Sequence, residues 1–219
     1  MGDFANDAAI FEFLDRHKDR CGMYHRETLQ QALDATARVI ADGIPGDLVE
    51  IGVYRGIMCM AMAAKLIQLG ATDRTIHMYD TFEGMTEPTS RDVRADSGTR
   101  ANLQDAAVAC RCGLEDVRAN MALVGYPTER VVYHKGDIMK NEVVPDQIAF
   151  LRLDTDFYDS TRHELEAFAP RVAPGGVITQ DDYGYWRGAT EAVDEYLQAN
   201  PREAKRLSPH GIWWPVPAA

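Results

Sequence analysis

An apolar stretch that ends in closely spaced carboxylates constrains this chain more than any other feature. Residues 150–153 (FLRL) run directly into Asp154 and Asp156, a pattern typical of a buried strand that delivers acids to the edge of a sheet. A second apolar stretch, VITQ, runs in the same way into Asp181 and Asp182. Carboxylates are seldom buried unpaired, and crowded ones raise one another's pKa unless a cation lies among them. The pattern therefore predicts a divalent metal site at this edge.

Strands and helices are predicted to alternate along the chain. Strand-like apolar segments occupy residues 47–52, 75–80, 130–137, 148–154, 177–182 and 212–216. Segments with helical character occupy residues 5–15, 26–40, 58–69, 103–112, 114–123, 158–168 and 190–200. This alternation predicts an α/β fold, a doubly wound and mostly parallel Rossmann-like sheet with helices on both faces. Ligands bind at the carboxyl ends of the strands in such sheets, so the acids that end several strands are expected on one rim.

The length of the chain predicts one domain, residues 1–219, with a full core. Residues 1–43 are predicted to form an N-terminal helical cap. Residues 85–115 are largely polar and charged at their start and show no clear period there, and they are predicted to form a lid. The net charge of −11 argues against a nucleic-acid partner, which would require a basic patch, and against an anionic membrane surface.

The cysteines favour a reducing environment. Cys21, Cys59, Cys110 and Cys112 form neither a zinc-type array nor the disulfide framework of a small secreted domain. The first residues carry acids where a signal peptide needs basic ones, and no apolar run approaches the ~20 residues of a membrane span. We therefore predict a cytoplasmic protein without a membrane partner.

A glycine-containing turn follows the first predicted strand. The segment EIGVYRG starts at Glu50 and spaces Gly52 and Gly56 as Gly-x-x-x-Gly, which differs from the GxGxxG of dinucleotide-binding proteins. Glycines here would let the backbone pass close to a nucleotide-like ligand, although an ordinary tight turn between strand and helix explains them equally well. Because Glu50 would repel a pyrophosphate, a cationic ligand is favoured.

Two further acids end neighbouring strands. Asp80 ends the second strand, where an acid can accept hydrogen bonds from both hydroxyls of a ribose. Asp137 ends the third strand and could accept from an adenine amino group. Either acid could instead cap the N-terminus of a helix. That explanation is weaker for acids at the ends of three successive strands, which together favour a ligand site.

Several of these segments resemble the motifs of the macrocin O-methyltransferase family, a family of class I S-adenosylmethionine-dependent enzymes. They are residues 49–56 (VEIGVYRG), 80–85 (DTFEGM), 151–161 (LRLDTDFYDST), 174–176 (PGG) and 181–184 (DDYG). The resemblance covers residues 48–197. It implies a methyltransferase that uses S-adenosyl-L-methionine and bound Mg²⁺ to methylate a hydroxyl of a small natural product such as an antibiotic sugar. Residues 85–115 would then form a lid over the acceptor.

The resemblance also implies roles for individual residues. The cofactor would contact Met23, Tyr24, Glu50, Gly52, Tyr54, Gly56, Asp80, Phe82 and Asp137. Asp154, Asp181 and Asp182 would hold the metal. The acceptor proton would go to Asp154 or to Asp156, and Asp154 is favoured as the residue that combines both roles.

Three other functions fit parts of the pattern. A nicotinamide-dependent oxidoreductase would use Asp80, but GxGxxG is absent. A metal-dependent phosphohydrolase would use the aspartates, but nothing basic or glycine-rich near Asp154 would cradle a phosphate. A non-catalytic binding module would not require Asp181 and Asp182 to lie close to Asp154. The expected partner is a small hydroxylated acceptor, and a homodimer is compatible with the sequence.

Overall fold

The computed structural model describes residues 4–22, 24–207 and 209–218. Its helices are α1 (Asp7–Cys21), α2 (Arg26–Ala41), α3 (Ile57–Gln68), α4 (Ala106–Ala109), α5 (Leu114–Met121), α6 (Tyr158–Ala167) and α7 (Arg187–Ala199). Its strands are β1 (Asp47–Ile51), β2 (Ile76–Asp80), β3 (Val131–Lys135), β4 (Ile148–Leu153), β5 (Val172–Gln180), β6 (Lys205–Arg206) and β7 (Ile212–Pro215). No helix among these residues is long and apolar enough to cross a bilayer.

The strands form one sheet in the order β3-β2-β1-β4-β5-β7-β6. Strands β1 to β5 run parallel, whereas β7 pairs antiparallel with β5 and β6 pairs antiparallel with β7. The connections run outward from β1 to β3 on one side and then continue from β4 on the other. The crevice between β1 and β4 is therefore a topological switch point, where ligands bind in sheets of this kind. The predicted doubly wound, mostly parallel sheet is confirmed.

Helices cover both faces of the sheet because the strand side chains alternate. Leu48 of β1 packs in a cluster with residues of α1, α2 and α3. Val49 and Ile51 point to the other face and pack with residues of α6 and α7. All six residues of β4 are buried, as expected for a central parallel strand. The carboxyl end of β4 therefore lies between two helical layers.

Some predicted boundaries are wrong. The strand predicted at 177–182 begins earlier, so residues 174–176 lie inside β5, where a register shift opposite Ile148 and Phe150 accommodates them. A Cβ on Gly176 would lie 2.8 Å from the Ala149 carbonyl oxygen, so only glycine fits this close strand pairing. The helix predicted at 103–112 shortens to α4, which is terminated by Cys110 with a left-handed φ of 44° just after its last residue. Strand β6 was not predicted.

The segment predicted as a lid is anchored on the helices that follow β4 and β5. Asp92 is fully buried, and its Oδ1 accepts the Tyr158 N–H at the start of α6 (2.9 Å). Its Oδ2 accepts the Thr89 N–H (2.6 Å). A Cβ on Gly188 would lie 2.3 Å from Asp92 Oδ1, so the small residue at the start of α7 makes room for this anchor. Whether residues 85–115 close over an acceptor stays a prediction.

Candidate active site

The acids that end the central strands meet at one rim of the sheet. Glu50 lies near the end of β1, Asp80 ends β2, Asp154 follows β4 and Asp181 follows β5. Strand pairing places Glu50 beside Arg152 and continues the ladder from Ile51 to the Asp154 N–H. The rim predicted from the apolar runs is therefore present.

Arg152 joins three of these acids. Its Nη1 donates to Glu50 Oε1 (2.5 Å) and to Asp154 Oδ2 (2.7 Å), and its Nη2 lies 3.1 Å from Asp181 Oδ2. The residue is only 3% exposed. The sequence did not predict a role for Arg152, although an arginine between apolar residues of a central strand needs buried partners that neutralise its charge.

Glu50 is a buried acid shared between two partners. Its Oε2 accepts a hydrogen bond from Cys59 Sγ (2.5 Å), and its Oε1 accepts from Arg152. Burial raises the pKa of Glu50 to about 7, although the Arg152 charge opposes that rise. These two hydrogen bonds therefore fix the orientation of the carboxyl group.

Asp154, Asp156 and Asp182 form a compact carboxylate group. One oxygen of each lies within 4.8 Å of the others. Burial raises the pKa of Asp154 to about 6 and that of Asp156 to about 7, and neighbouring carboxylates add to both rises. Oδ2 of Asp182 is buried without a hydrogen-bond partner among the described residues. An unpartnered oxygen among crowded carboxylates suits a hard divalent cation such as Mg²⁺, which prefers oxygen ligands.

The grouping differs from the predicted metal ligands. The sequence placed Asp181 with Asp154 and Asp182, whereas the structure puts Asp156 in that place and Asp181 beside Arg152. The backbone explains the difference, because Asp156 has a left-handed φ of 68° that reverses the chain just after Asp154. A pattern of alternating strand side chains does not reveal such a turn.

Among the cavities that open at this rim, two share Tyr54 and Asp154 in their walls. The larger of these two, with an empty volume of about 810 Å³, suits a small-molecule ligand. The predicted residues that line it are Gly52, Tyr54, Asp80, Asp137, Asp154 and Asp156. The residues that sequence reasoning missed include Tyr79, Thr86, Cys110, Ile138, Thr155 and Ser160. Tyr79, Ile138 and Thr155 lie immediately beside a predicted site residue, so widening each prediction by one position would have found these three.

The smaller cavity, of about 360 Å³ of empty volume, lies on the other side of the turn after β1. Tyr24, Glu50 and Arg152 line it, and Tyr54 and Asp154 line both cavities. The hydroxyl of Tyr24 donates to Asp15 Oδ1 (2.8 Å), which fixes its ring at the mouth of this cavity. Met23, also predicted to contact the cofactor, lies outside the described residues.

Asp80 and Asp137 hold backbone groups as well as lining the larger cavity. Oδ2 of Asp80 accepts the N–H groups of Val53 and Tyr54 (2.8 Å each), and its Oδ1 accepts that of Phe82 (2.7 Å). Asp137 caps a short 3₁₀ helix by accepting the N–H of residue 139 (3.0 Å). The capping alternative thus holds for Asp137, while contact of either acid with a nucleoside stays a prediction.

Phe82 and Gly56 are not among the residues that line either cavity. Phe82 is 3% exposed and packs edge-on against Tyr133, so its ring belongs to the core. Gly56 is the left-handed residue that precedes α3, and a Cβ there would lie 3.3 Å from Val117. Both positions support the fold of the turn, and their contact with a cofactor stays a prediction.

The outer side of the carboxylate group meets the segment predicted as a lid. Trp186 Nε1 donates to Asp156 Oδ2 (3.1 Å), and a backbone bridge joins Trp186 to Arg94. The Cys110 thiol lines the larger cavity, and burial with the nearby negative charge of Asp156 raises its pKa to about 12. Residues of the 85–115 segment therefore form part of the wall of the larger cavity.

The buried acids predict how stability changes with pH. Burial raises the pKa of Glu50 and Asp156 to about 7 and that of Glu164 to about 8. A raised pKa stabilises the fold while the acid is protonated, and this contribution is lost as pH rises through the folded-state pKa. Without metal, Tm should therefore fall from about pH 4, where the same carboxyls ionise in the unfolded chain, to about pH 8, above which they are ionised in both states. In the lower part of this range His134 opposes the trend, because burial lowers its pKa from 6.5 to about 4.

Differential scanning calorimetry with and without MgCl₂ checks this prediction. A divalent cation should reduce the loss at high pH, because it favours the ionised carboxylates. Asp159→Asn, at an exposed position, is the control and should leave the slope unchanged. A Tm that rises across the window would contradict the proposed charge state of the site.

Comparison with known proteins gives a consistent assignment. A sequence model described as macrocin O-methyltransferase (TylF) matches residues 13–215. Among curated relatives, 8-demethyl-8-(2,3-dimethoxy-alpha-L-rhamnosyl)-tetracenomycin-C 4'-O-methyltransferase of Streptomyces olivaceus is 35% identical over 80% of this chain and 66% of its own. Mycinamicin III 3''-O-methyltransferase of Micromonospora griseorubida is 30% identical over 88% of this chain and 76% of its own.

The match to some relatives is partial. Demethyldecarbamoylnovobiocin O-methyltransferase of Streptomyces niveus is 32% identical over 80% of this chain and 66% of its own. The chain thus spans just under two thirds of the length of two of these three relatives.

Solved structures support the fold. The O-methyltransferase NovP superposes with a TM-score of 0.78 at 29% identity, covering 87% of this chain and 79% of its own. Calicheamicin methyltransferase CalS11 superposes with a TM-score of 0.67 over 98% of this chain and 94% of its own, and at 19% identity it shows the fold alone.

Proposed function

Because the chain belongs to the macrocin O-methyltransferase family, we propose that it transfers a methyl group from S-adenosylmethionine to a hydroxyl of a small glycosylated natural product. One observation carries the proposal. Asp154 lines both cavities at the switch point of the sheet and also belongs to the carboxylate group. A cofactor in the cavities and an acceptor at the carboxylates would therefore meet at this residue.

The cavities fit a cationic, nucleoside-containing cofactor. Glu50 and Tyr24 line the smaller cavity, which suits the amino acid end with its ammonium group. Asp80 and Asp137 line the larger one, where carboxylates can accept hydrogen bonds from ribose hydroxyls and an adenine amino group. The aromatic ring of Tyr79 adds an apolar wall. In the larger cavity the charged side chains are all carboxylates, which would repel a pyrophosphate and disfavour a nicotinamide cofactor and a phosphohydrolase reaction.

The carboxylate group fits a divalent cation. Asp154 and Asp182 belong both to the predicted ligands and to the group that the structure brings together, so we assign them to the metal. When bound there, Mg²⁺ would supply positive charge that orients the acceptor hydroxyl and lowers its pKa. Asp181, held by Arg152, would stay outside the coordination sphere.

Asp156 is the residue we assign to the acceptor proton. Asp154 is bonded to Arg152, whereas Asp156 has no cationic partner among the described residues: it accepts the neutral Trp186 N–H and lies beside Asp182. A carboxylate without a cationic partner is the better proton acceptor. Asp156 would take the proton as the acceptor oxygen gains the methyl group and the sulfur becomes neutral.

The names of the relatives suggest the acceptor class. Those of Streptomyces olivaceus and Micromonospora griseorubida are named as O-methyltransferases of a rhamnosyl tetracenomycin and of mycinamicin III. We propose a sugar hydroxyl on a comparable scaffold, with residues 85–115 shaping its pocket. A cytoplasmic location and a homodimer stay predictions.

Chelation is expected to abolish methyl transfer. Incubation with methyl-labelled S-adenosylmethionine and a panel of glycosylated and phenolic acceptors should yield a labelled product that disappears with EDTA and returns with excess Mg²⁺. Quantified by chromatography, the loss should exceed about a hundredfold because the acceptor hydroxyl loses its activating charge. Added EDTA saturated with Mg²⁺ is the control. Turnover that is indifferent to chelation would refute the metal role while leaving cofactor use intact.

A further inference from the structure

One buried guanidinium links the two halves of the proposed site. Arg152 contacts acids from three adjacent strands: Glu50 of β1, Asp154 after its own strand β4, and Asp181 after β5. The three distances are 2.5, 2.7 and 3.1 Å. The Arg152 side chain is 4% exposed, so solvent hardly screens these contacts. Such charge-assisted bonds are the stronger class of hydrogen bond.

The partners of Arg152 face different ligands. Glu50 lines the smaller cavity, on the side proposed for the amino acid end of the cofactor. Asp154 belongs to the carboxylate group proposed for the metal. Glu50 on β1 and Asp154, just after the neighbouring strand β4, carry like charges when ionised, so without a cation between them they would repel each other. Arg152 supplies that cation and fixes the direction of each carboxylate.

We propose that Arg152 is a positioning residue that orients the acids of both the cofactor site and the metal site. The inference rests on the proposed function, because it concerns the affinities for S-adenosylmethionine and for a divalent cation. Lysine would keep the positive charge but, as a single ammonium on a flexible stem, would not hold three carboxylates in a planar fork. Arg152→Lys therefore separates the effect of the positive charge from the effect of the guanidinium geometry.

The test measures two dissociation constants for the same Arg152→Lys variant. Isothermal titration gives the Kd of S-adenosylmethionine in the absence of metal. Electron paramagnetic resonance of free Mn²⁺ gives the Kd of the cation in the absence of cofactor. We expect each Kd to rise by about tenfold or more, the usual size of effects from residues that orient ligating groups. Both measurements are made well below Tm, so a simple loss of stability would not move them.

Two control variants show whether a change in both dissociation constants is specific to Arg152. Arg162→Lys makes the same chemical change in an exposed pair with Glu166 and should alter neither Kd. Asp182→Asn should raise only the Mn²⁺ Kd, which shows that weaker metal binding does not by itself weaken cofactor binding. A change in both constants would then be particular to Arg152.

The outcomes separate the inference from the function on which it rests. Wild-type protein that binds neither S-adenosylmethionine nor Mn²⁺ would overturn the proposed function. Wild-type binding of both, with Arg152→Lys altering one constant or none, would overturn the positioning role alone. If Arg152→Lys does not fold, Glu50→Gln supplies the test. Glu50 is not part of the carboxylate group, so an unchanged Mn²⁺ Kd in that variant would refute transmission through Arg152.

Discussion

Replacing Asp156 with asparagine is expected to lower kcat by about 10²–10⁴-fold, the usual contribution of a general base. Asparagine preserves the shape of the side chain, and its carbonyl oxygen can still accept the Trp186 N–H. It cannot take a proton from the acceptor. The Kd of S-adenosylmethionine should stay within about twofold of wild type, because the amide occupies the same volume in the larger cavity.

Steady-state kinetics with an acceptor identified in the methyl-transfer screen check this prediction, with titration calorimetry for the cofactor. Asp159→Asn, three residues along on the exposed side of α6, is the matched control and should retain full activity. Retention of more than about a tenth of wild-type kcat by Asp156→Asn would move the base to Asp154. Loss of Mn²⁺ binding in Asp156→Asn would instead identify Asp156 as a metal ligand.

Gly52→Ala is expected to have the largest effect on stability. A Cβ at this position would lie 2.0 Å from the Asp154 carbonyl oxygen, and the backbone has a left-handed φ of 85°. Strain and overpacking together should lower the free energy of unfolding by about 2–6 kcal/mol. Since the clash falls on the backbone of Asp154, the Mn²⁺ Kd of the folded fraction should rise as well.

Gly43→Ala separates backbone strain from the clash. Gly43 has a φ of 62°, but a Cβ there would meet nothing within 4 Å. Its cost should be only about 1–2 kcal/mol, with Mn²⁺ binding unchanged. Denaturant titration followed by circular dichroism measures both variants. If Gly52→Ala is no less stable than Gly43→Ala, the close approach of β1 and the Asp154 backbone does not explain the glycine.

The sequence accounts for the architecture of the site. Apolar runs that end in acids predicted strands at Glu50, Asp80 and Asp154, and parallel strands bring their carboxyl ends to one rim whatever the details of packing. Gly52 was identified for the correct turn, although the structure assigns its close contact to the Asp154 backbone. Local patterns suffice here because strand position and side-chain alternation depend on residues close together in the chain.

Tertiary structure decided how the acids are divided. Arg152 and Glu50 are 102 residues apart, so their contact depends on the placement of β1 beside β4, which periodicity alone does not specify. The left-handed turn at Asp156 brings that residue into the carboxylate group, whereas Asp181 forms an ion pair with Arg152. The sequence by itself determined that carboxylates collect at the sheet edge. Strand order and the backbone turn at Asp156 arise from packing between distant segments. They determined which carboxylates face the proposed cation and which are neutralised by the buried Arg152.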